Sequence, residues 1–173
     1  MLWSIFAFLL LACLAPLLHR ALPRQAGTLL ALAPAAVTVY LLLMLPQLQE
    51  HGHLRVAYPW APTLHLQLSF YLDGLSFLFA FLITGIGALI LLYTGAYLRD
   101  DPQQGRFLLY LMLFMGSMLG TVLADNLITL FIFWEGTTIA SFLLIGYKHR
   151  YASARDAAMQ ALVVTGGGGL ALL

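Results

Sequence analysis

Charge is what this chain has least of. Its 173 residues include eight Lys and Arg and seven Asp and Glu, 9% in all, against 62% hydrophobic residues. Mean hydropathy is +0.92. An average soluble domain carries about 25% charged residues. So few charges cannot coat a soluble globule, which excludes an ordinary soluble enzyme, and a chain this apolar is no disordered tail. The net charge of +1 leaves no phosphate-binding footprint, which excludes a nucleic-acid partner. Cysteine is nearly absent as well. Cys13 alone can form neither an internal disulfide nor a cysteine cluster, and it reads as a small apolar residue inside a helix.

What is present is apolar sequence in blocks. A hydrocarbon core of about 30 Å needs about 20 apolar residues to cross it. Such blocks run from about Leu2 to Leu18, Gly27 to Leu45, Gly74 to Leu98, Phe107 to Ala124 and Leu127 to Tyr147. The second ends at Pro46. A sixth starts near Ala157 and is still apolar at Leu173. Read as one helix, the fourth and fifth would be about 61 Å long, twice the membrane thickness. The chain must therefore turn back at Asp125-Asn126. The expected fold is an all-α, polytopic transmembrane bundle of five full helices and a truncated sixth. The sixth block is barely long enough to span, and no polar flank follows it. Residues 1–173 are therefore expected to form a single membrane domain, the N-terminal part of a longer subunit. No Lys or Arg precedes the first block, which argues against a cleaved signal peptide.

The basic residues give an orientation. Arg20 and Arg24, Arg99 and Arg106, and Lys148, Arg150 and Arg155 fall in three loops on one side, leaving only Arg55 on the other. Cytoplasmic loops hold the Lys and Arg excess, so the N-terminus is expected outside. In the outer loop, from about Pro46 to Asp73, Leu64, Leu66, Leu68 and Phe70 alternate with His65, Gln67 and Ser69. That period of two predicts a short β-hairpin turning at Ala61-Pro62. His51 and His53 have no third ligand nearby, so they read as solvated loop residues and no metal site is expected.

Three acids need an account. Asp73 and Asp125 each stand where a helix begins and read as N-caps, with the outer mouth of an ion path as the alternative. Glu135 is different. It lies about 13.5 Å of helix beyond Asn126 and about 18 Å before Tyr147, close to the midplane. A charge there costs about 2.5–3.5 kcal/mol on insertion scales, so such a residue is a functional candidate by default. The plain alternative is a neutral, hydrogen-bonded structural Glu. Thr137, Thr138 and Ser141 lie on or beside the same helical face and supply hydroxyls that can bind water or share a proton. No Lys or Arg lies inside any block, so a cationic partner for Glu135 has to come from outside this chain. The run Gly166 to Gly169 lacks the Lys-Ser/Thr of a phosphate loop and lies in apolar sequence. It reads as close helix packing or as a flexible, broken membrane helix.

Four runs carry a resemblance: Tyr71-Leu72-Asp73-Gly74-Leu75-Ser76, Ala124-Asp125-Asn126-Leu127, Phe133-Trp134-Glu135-Gly136, and Ser141-Phe142-Leu143-Leu144-Ile145-Gly146. Together they resemble the antiporter-like subunits of respiratory complex I and of Mrp-type cation/proton antiporters. The stretch from Phe77 to Gly120, with Thr84-Gly85-Ile86-Gly87 and Leu113-Phe114-Met115-Gly116, is more similar to the large A subunit of the Mrp type than to the chain 5 type subunit of complex I. The resemblance is good over residues 65–173 and loose over the first two helices. Gly136, where many relatives have Leu, departs from the Mrp pattern and resembles some complex I members.

The resemblance implies a membrane subunit of a multisubunit monovalent cation (Na+)/proton antiporter. Glu135 would match the key acid of a proton path, paired with a lysine on a seventh helix beyond Leu173. It implies protons and monovalent cations as cargo and other membrane subunits as partners. The setting would be the lipid bilayer of a plasma membrane, the bacterial inner membrane. A secondary transporter subunit is implied rather than an enzyme, without redox cofactor. The alternatives are a proton-pumping subunit of complex I or of a membrane-bound hydrogenase, and a structural or nonfunctional truncated membrane subunit.

Overall fold

The computed structural model describes residues 2–61, 66–99 and 101–172. Six α-helices and one hairpin follow in order: α1 (Leu2–Ala21), α2 (Ala26–His51), β1 (Leu54–Ala61), β2 (Leu66–Leu72), α3 (Gly74–Tyr97), α4 (Gln104–Val122), α5 (Leu127–Ile145) and α6 (Ala152–Leu172). A 3-10 turn, Gly146–Lys148, follows α5. Five of these helical segments are long and apolar enough to cross a membrane, from α1 through α5 with its 3-10 turn. Helix is what long apolar sequence must form in lipid, because every backbone N–H and C=O has to find its partner within the segment.

The helices pack mainly as the pairs α1 with α4, α2 with α3, α4 with α5, and α5 with α6. Ile5, Phe8 and Ala12 of α1 and Leu108, Met112 and Leu119 of α4 are almost fully buried and join one core. The bundle's outside is apolar as well: Trp3, Leu43 and Leu89 are exposed. Small residues set how closely helices approach. A Cβ on Gly27 of α2 would sit 2.6 Å from the Gly95 Cα of α3, so the two backbones touch there.

Two boundaries differ from expectation. Helix α2 does not stop at Pro46 but runs through it to His51. In membrane helices, neighbouring groups re-satisfy the carbonyl that a proline leaves free. The helix ends instead at Gly52, whose φ of 75° suits a residue without Cβ and whose N–H reaches Leu48 O. Helix α6 begins at Ala152 rather than near Ala157 and runs unbroken through Gly166 to Gly169. Arg155 therefore stands on its first turns and not in the loop.

The hairpin is antiparallel, with Leu54 opposite Leu72, Tyr58 opposite Leu68, and a register shift between Pro59 and Ala61. Its expected turn at Pro62 and the Leu64-His65 part of the alternation lie outside the described residues. So do Asp100 and Leu173. His51 is the last residue of α2, and the ring of His53 stacks on Tyr71 at 5.4 Å.

Candidate functional site

The site is built on the hinge between α4 and α5. The hairpin clamps that hinge. Tyr71 N–H donates to Leu123 O at 2.8 Å, and Asp125 N–H donates to Ser69 O at 3.0 Å, so the turn lies along β2 like a short third strand. Asn126, not Asp125, caps α5: its Oδ1 accepts the Thr129 N–H at 2.7 Å. The Asn126 amide donates to Gln67 O and to Ser69 Oγ, both at 2.8 Å. Asp125, expected as the cap, instead pairs with Arg55 of β1 at 2.6 Å. The reason is geometric. One residue of the turn must take the extended backbone of an N-cap, and Asn126 occupies that place, which leaves the Asp125 side chain facing the hairpin.

Asp73 does cap its helix. Its Oδ1 accepts the Ser76 N–H at 2.8 Å, while Ser76 Oγ accepts the Asp73 N–H at 2.7 Å, a closed capping box. The backbone N–H of Ser76, then its hydroxyl, hold the Asp73 carboxyl below its ordinary pKa of 3.8.

Glu135 lies midway along α5, and its Oε1 is buried without a hydrogen-bond partner among the described residues. The hydroxyls expected to serve it are turned inward to their own helix. Thr137 donates to Trp134 O at 2.7 Å, Thr138 to the same oxygen at 3.2 Å, and Ser141 to Thr137 O at 2.7 Å. Their hydrogens are engaged, and only acceptor lone pairs remain. A hydroxyl in a dry helix finds the carbonyl one turn back before it finds a side chain.

What covers Glu135 is α6. A Cβ on Gly169 would collide with Glu135 Oε1 and lie 3.1 Å from the Trp134 ring, and one on Gly166 would touch Thr138 at 3.8 Å. Gly166 and Gly169 are three apart, as are Thr138 and Glu135, so two one-turn pairs meet across antiparallel helices. Cβ atoms on Gly167 and Gly168 would meet nothing within 4 Å. The glycine run is thus a packing face on one side only. Trp134 Nε1 is also buried without a partner beside the acid.

On the other side of α5, a Cβ on Gly136 would lie 2.6 Å from Ser117 Oγ of α4. An orphaned carboxylate oxygen between tightly packed helices costs stability and does nothing for packing.

Two family patterns match this chain. One, described as "NADH-Ubiquinone oxidoreductase (complex I), chain 5 N-terminus", matches residues 60–108. The other, "NADH:quinone oxidoreductase/Mrp antiporter, TM", matches residues 124–173, Glu135 included. The chain belongs to the antiporter-like subunit family of Mrp antiporters and complex I. Within this family it is 40% identical, over 95% of its own length and 21% of the relative's, to the A1 subunit of the Na(+)/H(+) antiporter of Staphylococcus haemolyticus. It is 39% identical, over 99% of its length and 22% of the relative's, to the corresponding Na(+)/H(+) antiporter protein, the A subunit, of Alkalihalophilus pseudofirmus. The fold superposes on the Mrp complex from Dietzia sp. with a TM-score of 0.87 at 33% identity, covering 98% of this chain and 18% of that one. A TM-score of 0.78 at 21% identity to an archaeal membrane-bound sulfane sulfur reductase shows a shared fold. The chain spans about a fifth of the length of the curated relatives it matches. As a member of this family with five apolar spans, it is a multi-pass membrane protein.

Sequence reading did not find Gly169, Trp134 or Arg55 as part of these arrangements. For Gly169 the signal was present, a glycine in an apolar run, but nothing in the run marks which of four glycines faces the acid.

Proposed function

We propose that this chain contributes to a monovalent cation (Na+)/proton antiporter, and that Glu135 is the group that takes up and releases a proton at the midplane. The observation that carries the reading is the orphaned Oε1 of Glu135 under Gly169. A structural glutamate in a dry seam would have a donor, and a proton carrier needs its carboxylate free to change partner. The names of the relatives, sodium/proton antiporter subunits, support the cargo. The likeness to an Mrp complex supports further membrane subunits as partners. The asymmetry of basic residues supports a plasma-membrane location with the N-terminus outside. On this reading the chain is a transporter component and not an enzyme.

The test is Glu135→Gln in the full-length subunit within its complex. Na+-driven proton movement across everted vesicles is expected to fall by about tenfold or more at unchanged complex abundance. Wild-type rates would assign Glu135 a structural role and sink the proposal.

The complex I description of the first matched pattern supports the rival reading, a pump subunit of a redox complex. Genes for iron–sulfur or nickel subunits beside this one would favour that reading. Genes for small hydrophobic antiporter subunits would favour the first.

A further inference from the structure

Away from Glu135, at the end of the bundle where the chain gathers its basic residues, a half-open cleft of about 300 Å³ lies between α4, α5 and α6. Such a volume is at the small end of ligand clefts. Its walls are mostly apolar, with Phe142 and Met159 among them, and two arginines line it, Arg106 and Arg155.

Both arginines are held in place, and among the described residues neither forms an ion pair. Arg106 sits 5.8 Å from the centre of the Tyr110 ring and donates to the Tyr110 hydroxyl at 3.1 and 3.3 Å and to Gln103 Oε1 at 3.3 Å. Arg155 donates to His149 O at 2.8 Å. All of these acceptors are uncharged. Among the described residues the ion pair is Arg55 with Asp125, at the opposite end. The nearby Asp101 carboxylate takes the Tyr147 hydroxyl at 2.9 Å and the Gln103 N–H at 2.8 Å. Two preoriented guanidinium groups beside an apolar wall suit a phosphate that carries hydrocarbon.

We propose that this cleft binds an anionic phospholipid, with Arg106 and Arg155 on its phosphate and the first part of a chain against Phe142 and Met159. Its level decides for a lipid. Helix α5 ends at Ile145 and α4 begins at Gln104, so the cleft opens where spans end and headgroups begin. Free phosphate would use the arginines but gain nothing from the apolar wall. A zwitterionic lipid would use the wall but bring no net charge to the two arginines. The site does not depend on Glu135, and its bound lipid would brace α6, the helix that covers that acid.

The test uses the full-length subunit in its complex, purified and exchanged into phosphatidylglycerol, phosphatidylcholine or mixed lipid. Lipid retained on the complex is read by native mass spectrometry. Phosphatidylglycerol is expected to be retained over phosphatidylcholine. Each of R106Q and R155Q should weaken retention by about fivefold, and the pair more. R106K/R155K keeps the charge without the guanidinium forks and should retain more lipid than R106Q/R155Q but less than wild type, which separates charge from misfolding. R20Q/R24Q removes the same charge from the same end away from the cleft and should retain lipid as wild type does. Equal retention of both lipids, equal loss in R20Q/R24Q, displacement by inorganic phosphate alone, or no retained lipid in the wild type would each overturn the proposal.

Discussion

Gly169 of α6 lies directly over Glu135 of α5, so close that a single added methyl would strike the Oε1 of the acid. Helix α6 is therefore a lid on the carboxylate as well as a packing neighbour. Motion of either helix changes the room the acid has.

That relation predicts a contrast between adjacent glycines. Gly169→Ala forces the Glu135 side chain to another rotamer. Cation-driven proton movement by the full-length complex is expected to drop severalfold, with little loss of stability because a flexible side chain can yield. Gly168→Ala meets open space and gains helix propensity, so it should leave transport unchanged. Equal effects of the two variants would remove the lid.

Gly136 predicts a stability effect instead. A Cβ there would lie 2.6 Å from Ser117 Oγ, which can turn about χ1, and 3.2 Å from Ser117 Cβ, which moves only with the packed helix that carries it. Gly136→Leu should cost about 1–3 kcal/mol, as overpacking does. Ser117→Gly in the same chain should recover part of it. Thermal unfolding of the purified complex measures both.

Asp73 predicts a dependence on pH. Its folded pKa is held below 3.8 by Ser76, so its stabilising effect is complete above about pH 4 and fades as pH falls through the lowered value. Asp73→Ala should cost about 1 kcal/mol at neutral pH. Asp73→Asn should keep most of the cap, keep transport, and abolish this part of the acid sensitivity. Loss of transport in a stable Asp73→Asn protein would show a role in the ion path.

The α4–α5 hinge predicts an order of severity. The Arg55 side chain is 63% exposed, so its pair with Asp125 is partly screened by water. Arg55→Ala should cost about 1 kcal/mol or less, and the cost should shrink in high salt. Asn126→Ala loses a cap and two further hydrogen bonds to β2 and should cost about 2 kcal/mol or more. Unfolding of both variants at low and high salt checks the ranking.

Much of the architecture was readable without coordinates. Leu127 to Tyr147 reads as a span because its length and apolarity match the bilayer, and Glu135 stands out because every other acid is near a span end. The alternation from Leu66 to Phe70 likewise announces a strand. Reading failed where one local rule had two outcomes. Pro46 can stop a helix or be tolerated in it. Asp125 and Asn126 can both cap, and the backbone needs one.

The sequence by itself determined the class of molecule, the five full spans, the place of Glu135 midway along its span and the basic end of the bundle. These are sums over residues along one axis, and length and composition are enough for them. Tertiary structure decided which glycine covers the acid, which partner Asp125 takes, and that Arg106 and Arg155, far apart in the chain, line one cleft. Those relations depend on how one helix is rotated against the next, and that rotation is set by side-chain packing between segments.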